Sequence, residues 1–344
     1  MNKLSGIRRK RPLRLKARGL MKKIASNCVG VFLFLTHCCS YAQSQPPDQW
    51  RPYANDVIAW FETSGQGWGS VVGDFDCQGM SAGVLQWNIG KGSLWETILK
   101  DIPVDQFRSA MPTYGDKFHA AFTASYGKPL DYVRAFQTFK NEQACDSGHR
   151  GAQWTTDGKK FSKEVANLMQ TAVVRGKQEA AMKANVDAGW QYAQWWAASA
   201  RGAGAAPTFR ELLFFTDTLN FNGKWTEEAN YQKVLVFRGQ RSNAEVMTEI
   251  LDYLKSDIPE QVQSMEAGEN ADLWRDRKVA DDDLNLLCFA YLVATNLSPT
   301  HRGASQFRLN TLSRRGTIIF DDGYVNGTRK TFAYPPGAVS AAAK

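Results

Sequence analysis

Apolar residues recur at helical spacing along most of the chain. In residues 51–65, Val57, Ile58 and Phe61 share one helix face, and the run stops at a Thr-Ser-Gly sequence. A second helix is expected to begin near Ser81. Further helices are expected from Ser93, whose side chain is expected to cap the first of them, through 104–140 with breaks, and over 161–202, 209–223, 244–257 and 281–297. This pattern predicts a mainly α (α+β) protein.

Two segments depart from the helical pattern. Residues 141–158 are polar and contain glycine, which indicates a loop. Residues 306–320 lead into a short β-like piece that ends at Asp322-Gly323. A further small β element is expected close to the acidic residues between Phe61 and Trp95.

The first 42 residues have the features of an export signal. Lys22-Lys23 precede the apolar run Cys28–Leu35, and Ser40-Tyr41-Ala42 places small residues at the −3 and −1 positions of a cleavage site. We therefore expect residues 1–42 to be a signal peptide and the mature protein to be periplasmic or secreted.

Three alternatives bear on this leader. Translation that starts at Met21 instead of Met1 gives a signal of ordinary length. An uncleaved membrane anchor is disfavoured because the apolar run is short for a bilayer. A lipoprotein site at Cys38 is disfavoured by the histidine that precedes it. No later segment approaches membrane-spanning length, so no membrane association is expected after cleavage.

Nothing in the sequence divides the part that follows the leader. It contains no repeat and no linker long enough to separate domains. Residues 43–335 are therefore expected to form one domain, and residues 336–344 a disordered tail.

The net charge of +8 is concentrated in the leader. Ten of the 42 basic residues lie in positions 1–42, which contain no acidic residue. Without those ten, 32 basic residues face 34 acidic ones, a net charge of −2. The charge therefore gives no argument for nucleic-acid binding.

Three of the six cysteines lie after the leader. Cys288 falls within an apolar run and is expected to be a buried thiol. Cys77 and Cys145 lie in predicted loops and form a possible disulfide, which export permits. No Cys/His pair has the spacing of metal ligands, and no cofactor motif is present, so neither a metal nor a cofactor is expected.

The segment Phe61–Trp95 contains candidate catalytic acids. Glu62 follows an aromatic pair at the predicted helix end, and desolvation by such rings raises the pKa of a carboxyl, which suits a general acid. Asp74 and Asp76 lie in a glycine-bounded turn, where a hydrated carboxylate suits a base. Each acid taken alone is more often a helix cap or a turn former. Together they suggest the carboxylate pair of glycosidic bond cleavage.

Glu62 and the run Asp-Cys-Gln-Gly-Met-Ser-Ala-Gly-Val-Leu-Gln-Trp at 76–87 resemble the catalytic region of the lysozyme-like superfamily, especially family 46 chitosanases. The resemblance implies a lysozyme-like two-lobed helical fold with a small β-hairpin at the active-site cleft. It makes Glu62 the general acid, Asp76 the general base and Ser81, in place of the family's threonine, the hydroxyl that places the water. Residues 83–86 also resemble lytic transglycosylases and goose-type lysozymes, in which one glutamate suffices.

The resemblance extends more weakly downstream. Residues 214–223 are similar to the family's aromatic-Asp segment, which makes Asp217 a candidate carboxylate behind the acid. Arg308 corresponds to an arginine that pairs with such an aspartate and steadies Glu62. The alternative for both residues is a structural ion pair between core helices.

The substrate-binding candidates lie beside the acids. They are Trp68, Gln86, Trp87 and Asn88, and the two tryptophans offer faces on which sugars stack. Residues 88–93 resemble exported or phage-type cell-wall hydrolases more than chitosanases. That likeness favours peptidoglycan as the substrate.

The sequence leaves three functions open. The first is an exported glycosidase, expected to be a monomer, that cleaves β-1,4 bonds of an amino-sugar glycan, with peptidoglycan as the favoured substrate. The second is an inverting chitosanase. The third is a non-catalytic protein that binds the same polysaccharide on the same scaffold.

Overall fold

Helices dominate the part of the chain that the structure describes. The computed structural model describes residues 45–74, 78–123, 128–138, 153–222, 229–256, 264–296, 307–336 and 338. All of them belong to one compact unit, Tyr41–Lys344. The expected signal peptide and most of the expected tail lie outside these residues.

Within the described residues the chain forms twelve α-helices and confirms the mainly α class. They are α1 (Arg51–Thr63), α2 (Val104–Ala110), α3 (Gly115–Thr123), α4 (Lys128–Arg134), α5 (Thr156–Gln170), α6 (Ala172–Arg201), α7 (Phe209–Asn222), α8 (Ala229–Arg238), α9 (Asn243–Leu254), α10 (Ser264–Trp274), α11 (Asp281–Asn296) and α12 (Arg308–Phe320). The predicted loop at 141–158 is described only from 153, and its end carries a strand and the start of α5.

Short antiparallel strands complete the fold. They are β1 (Val71–Val72), β2 (Ser81–Ala82), β3 (Trp87–Asn88), β4 (Gln137–Thr138), β5 (Gln153–Trp154), β6 (Asp322–Val325) and β7 (Thr328–Thr331). The first three form one sheet in the order β1-β2-β3, whereas β4 pairs with β5 and β6 with β7. In the first sheet Val72 is opposite Ser81, and Ser81 is opposite Asn88.

The prediction of a helix from Ser81 is wrong, because this residue begins strand β2. The turn that follows contains two left-handed residues, Gly83 with φ +83° and Gln86 with φ +54°. The Gly83 amide donates to Ser70 O at 2.8 Å, which ties the turn to the segment before β1. A helix cannot pass through two such residues, so the chain returns as a hairpin.

Two further local predictions need correction. Ser93 precedes a π-helical turn, Leu94–Leu99, but its side chain does not cap it. Its hydroxyl accepts from Asn88 N at 2.8 Å and donates to Asn88 O at 3.2 Å. Near the end of the chain, β structure begins at Asp322 instead of ending there, because the preceding residues form α12.

Two buried helices lie at the centre of the fold. Every residue of α12 from Leu309 to Phe320 is buried, and so is every residue of α7 from Phe209 to Thr218. α7 packs against α6 and α12, and α12 packs in turn against α11. Charged side chains on these helices must therefore find partners inside the protein, since burying an unpaired charge is costly.

Gly316 of α12 packs closely against the indole ring of Trp274. A Cβ at this glycine would lie 2.4 Å from two atoms of the indole ring, whose Nε1 donates to Asp322 O at 2.8 Å. Gly316→Ala is therefore expected to lower the free energy of unfolding by about 1–3 kcal/mol through overpacking.

Gly268 of α10 provides the matched control. A Cβ there meets nothing within 4 Å. Gly268→Ala should raise the free energy of unfolding by up to about 1 kcal/mol, because alanine is the better helix former. Urea unfolding of both variants checks the pair. Equal effects would contradict the close packing of Gly316 against Trp274.

Candidate functional site

Glu62 lies in the last turn of α1. The helix ends at Ser64, which is left-handed with φ 50° and whose amide donates to Trp60 O at 2.8 Å. Thr63 Oγ1 donates to Ala59 O at 2.7 Å and accepts from Gly67 N at 3.2 Å, so the chain turns sharply. The sequence therefore placed Glu62 correctly at a helix end. Its side chain is 11% exposed.

The partner of Glu62 is Arg314, from the centre of α12. Arg314 Nη2 lies 2.5 Å from Glu62 Oε1 and 2.5 Å from Asp217 Oδ1. A second bond joins Arg314 Nε to Asp217 Oδ1 at 3.0 Å. One guanidinium thus links an accessible carboxylate to a fully buried one. Burial disfavours its charge, but the carboxylates of Asp217 and Glu62 outweigh this and raise the pKa of Arg314.

A second arginine stands behind Asp217. Arg315 Nη2 is 3.5 Å from Asp217 Oδ2, and both side chains are fully buried. The Arg315 guanidinium also donates to Thr218 Oγ1 at 3.1 Å, Thr311 O at 3.2 Å and Asn222 Oδ1 at 2.5 Å. Burial and the neighbouring Arg314 charge lower the pKa of Arg315 to about 10. We call Glu62, Arg314, Asp217 and Arg315 the charge network; its two negative and two positive charges balance.

Aromatic rings enclose the Arg314 guanidinium. Its Cζ atom lies 4.9 Å from the ring centroid of Phe61 and 4.3 Å from that of Phe221. Cation–π contacts of this kind strengthen when water is excluded. Phe61 and Phe221 thus contact the arginine partner of Glu62, whereas aromatic surroundings of the Glu62 carboxyl itself stay a prediction.

The assignment of Arg308 as the partner of Asp217 needs correction. Asp217 pairs with Arg314 and Arg315, whereas Arg308 is the first residue of α12. Residues 306–320 contain three arginines, and the rotation of α12 against α7 decides which of them contacts Asp217. Sequence reasoning missed Arg314, although its place in the middle of an apolar helix, like that of Asp217, was a usable signal.

Ser81 and Asn88 are hydrogen-bonded to each other across β2 and β3. Asn88 Nδ2 donates to Ser81 Oγ at 3.1 Å and to Gly79 O at 3.3 Å. Asn88 Oδ1 accepts from Lys91 N at 2.9 Å. Asn88 is only 7% exposed, so its amide stabilises the hairpin instead of facing a substrate, contrary to the prediction.

The other substrate-binding candidates are also largely engaged. Trp87 is buried in the core, which contradicts its expected role as a sugar platform. Trp68 is half-buried, and the guanidinium of Arg175 lies 5.3 Å from its ring centroid. Gln86 Nε2 donates to Ser70 Oγ at 3.0 Å and to Gly83 O at 2.8 Å. Of the four, Trp68 and Gln86 retain partial exposure.

Asp74 is the last described residue before Asp76, the predicted base. Its side chain is fully buried, its Oδ1 accepts from Gly79 N at 2.8 Å, and its Oδ2 lies 2.9 Å from Arg134 Nε. Both oxygens are therefore engaged, and Asp74 is a structural carboxylate. Asp76, the predicted base, lies outside the described residues.

Of the three cysteines that follow the leader, the structure describes one. Cys77 and Cys145 lie outside the described residues. Cys288 is a free, buried thiol, as expected, and burial raises its pKa to about 12.

Other features of the described residues lie apart from the charge network. A groove of about 480 Å³ runs between α9 and residues 275–279, and its lining includes no residue of the network. The described residues contain no group of three His, Cys, Asp or Glu side chains arranged to hold a metal ion. None of the helices that the structure describes combines the length and apolar character that a bilayer span requires.

Comparisons with protein-family models, with curated proteins and with solved structures find no match. Any functional assignment for this chain therefore depends on the residues and contacts described above.

Proposed function

We propose that this protein is an exported glycoside hydrolase with a lysozyme-like two-lobed fold that cleaves β-1,4 bonds of an amino-sugar glycan. The observation that carries the proposal is the placement of Glu62. It is a partly accessible carboxylate at a helix end, bound to a buried arginine that also binds the buried Asp217. A partly accessible acid with such fixed support suits general acid catalysis.

In this mechanism Glu62 first takes up a proton from water on the carboxylate oxygen that does not accept from Arg314, and then transfers that proton to the leaving oxygen. The carboxylate that remains is stabilised by the Arg314 guanidinium at 2.5 Å. Asp217 contributes indirectly, because its two bonds to Arg314 fix the orientation of that guanidinium and hence of Glu62. Neither Asp217 nor Arg314 needs to touch the substrate.

Asp76 is assigned as the base that activates water. Ser81, whose hydroxyl accepts from Asn88 and which is only 8% exposed, is assigned as the group that helps to place that water from inside the hairpin. Two carboxyl groups about 6.5–9.5 Å apart would give inversion. The one-acid mechanism of lytic transglycosylases is the rival within the same fold. Asp76→Asn separates the two mechanisms, since only the two-acid mechanism requires this carboxylate.

Peptidoglycan is the preferred substrate, and chitosan the second. The preference comes from the sequence likeness of residues 88–93. In the structure Asn88 N donates to Ser93 Oγ, and Asn88 Oδ1 accepts from Lys91 N, at the end of β3. The residues that carry the likeness therefore shape the hairpin, and they support peptidoglycan only if they also contact the substrate.

Product analysis tests the proposal directly. Purified sacculi and chitosan are incubated with the mature protein, and released fragments are measured by reducing-end assay and mass spectrometry. We expect cleavage of sacculi to products with an added water. Anhydro products, lighter by one water, would establish the one-acid mechanism. Binding to sacculi without turnover of either glycan would contradict the proposal and indicate a non-catalytic binding protein.

A further inference from the structure

The tip of the β6–β7 hairpin is anchored to one face of α10. Glu266, Asn270 and Trp274 are spaced four residues apart and therefore lie on the same side of that helix. Trp274 Nε1 donates to Asp322 O at 2.8 Å, and Asn270 Oδ1 accepts from Tyr324 N at 2.7 Å. The same Asn270 amide donates to Tyr324 O at 2.8 Å.

Glu266 lies beside the turn. Burial raises the pKa of its carboxyl, while the neighbouring backbone N–H groups of Gly327 and Asn326 oppose that rise. Both turn residues are left-handed, with φ +53° and +79°. An Asn-Gly pair with two positive φ angles is the preferred two-residue turn of a β-hairpin. The position of the Asn326 side chain is therefore fixed by its own backbone and by α10.

The Asn326 side chain reaches the end of α1. Its Nδ2 donates to Phe61 O at 2.7 Å, and the same carbonyl accepts a longer bond, 3.4 Å, from Arg314 Nη1. The backbone bonds at the end of α1 stop with the bond from Ser64 N to Trp60 O. Side chains from two distant elements thus hold the carbonyl that immediately precedes Glu62.

We propose that Asn326 is a positioning residue for Glu62. The inference rests on the proposed function, because it assigns the hairpin a role in setting the acid. Without the bond from Asn326, Phe61 O keeps only the longer side-chain bond from Arg314, so the carbonyl that precedes Glu62 is held less firmly. A misplacement of about 1 Å at a reacting group costs about 100-fold in rate.

Two substitutions remove the bond but preserve the turn. Asn326→Gly keeps a residue that readily adopts positive φ, and Asn326→Asp keeps the size of the side chain but replaces the donor with an acceptor. Thr328→Ala, at an exposed position of β7, is the matched control. Urea unfolding establishes that all three variants are folded at the assay temperature.

On sacculus fragments we expect kcat to fall at least about 10-fold in Asn326→Gly and Asn326→Asp, with KM within about 2-fold of the wild type. Thr328→Ala should match the wild type. Because Asn326 acts through Glu62, adding Asn326→Gly to Glu62→Gln should reduce the residual rate no further. A folded Asn326→Gly variant with wild-type kcat would overturn the inference, since a purely structural residue changes stability and leaves kcat unchanged.

Hydrogen exchange separates this inference from the proposed function. The amides of the last turn of α1 should exchange faster in Asn326→Gly and Asn326→Asp than in Thr328→Ala. Unchanged exchange in that turn would overturn the positioning role even in an active enzyme. A wild-type protein that cleaves neither glycan would refute the proposed function and with it any role of Asn326 in catalysis.

Discussion

Replacement of Glu62 by glutamine is expected to lower glycan cleavage by about 100- to 10,000-fold, the range over which general acids contribute. Glutamine keeps the shape of the side chain but has no proton that it can deliver as an acid. Arg314 remains bound to Asp217 through two bonds, so no buried charge is left unpaired. Reducing-end release from sacculi measures the loss, and urea unfolding shows whether the fold persists.

The matched control is Glu96→Gln. Glu96 is exposed and pairs at the surface with Lys100 at 3.0 Å, so both its activity and its stability should stay close to wild type. Cleavage by Glu62→Gln at the rate of Glu96→Gln would exclude Glu62 as the acid.

Replacement of Arg314 by methionine is expected to be the most destabilising change in the charge network. It leaves Asp217, which is fully buried, without its two charge-assisted bonds, and it leaves Glu62 unpaired. Removing one partner of a buried ion pair costs about 3–5 kcal/mol. Arg314→Lys should fall between the wild type and Arg314→Met, because an ammonium lacks the planar fork of a guanidinium. Urea unfolding measures all three proteins.

Two comparisons sharpen that experiment. Arg108→Gln removes an exposed pair with Asp105 and Asp116 and should cost less than about 1 kcal/mol. Adding Asp217→Asn to Arg314→Met removes the stranded carboxylate, so the double variant should be less destabilised than the sum of the two single changes. Additive losses would show that Asp217 and Arg314 do not depend on each other.

Apolar spacing was sufficient to predict the long helices but not the short strands. Val57, Ile58 and Phe61 mark one face of α1, and the Thr-Ser-Gly sequence marks its end. Strands β2 and β3 contain two residues each, too few for an alternation of period two to be visible. The apolar run through Ser81 therefore resembled a helix start, and its turn depends on the left-handed Gly83 and Gln86.

For the candidate site too, local sequence patterns predict some features and not others. A helix-end acid and a buried aspartate can be inferred from local patterns, as for Glu62 and Asp217. The identity of the arginine between them depends on how α12 is rotated against α7, which no local pattern encodes. Burial of Trp87 is likewise a tertiary outcome. The Asn-Gly pair at the tip of the last hairpin was a visible signal, but its contact with Phe61 crosses 265 positions.

That separation along the chain governs when the site can form. Glu62 can pair with Arg314 only after a further 252 residues have been synthesised. The carbonyl of Phe61 can accept from Asn326 only after a further 265. At about 5–20 residues per second, the ribosome needs tens of seconds between the acid and the residues that hold it. A chain interrupted before Arg314 lacks half of α12, one of the two central helices, and has no means of fixing its acid. The network therefore arises only late in synthesis, when the last long helix joins the fold.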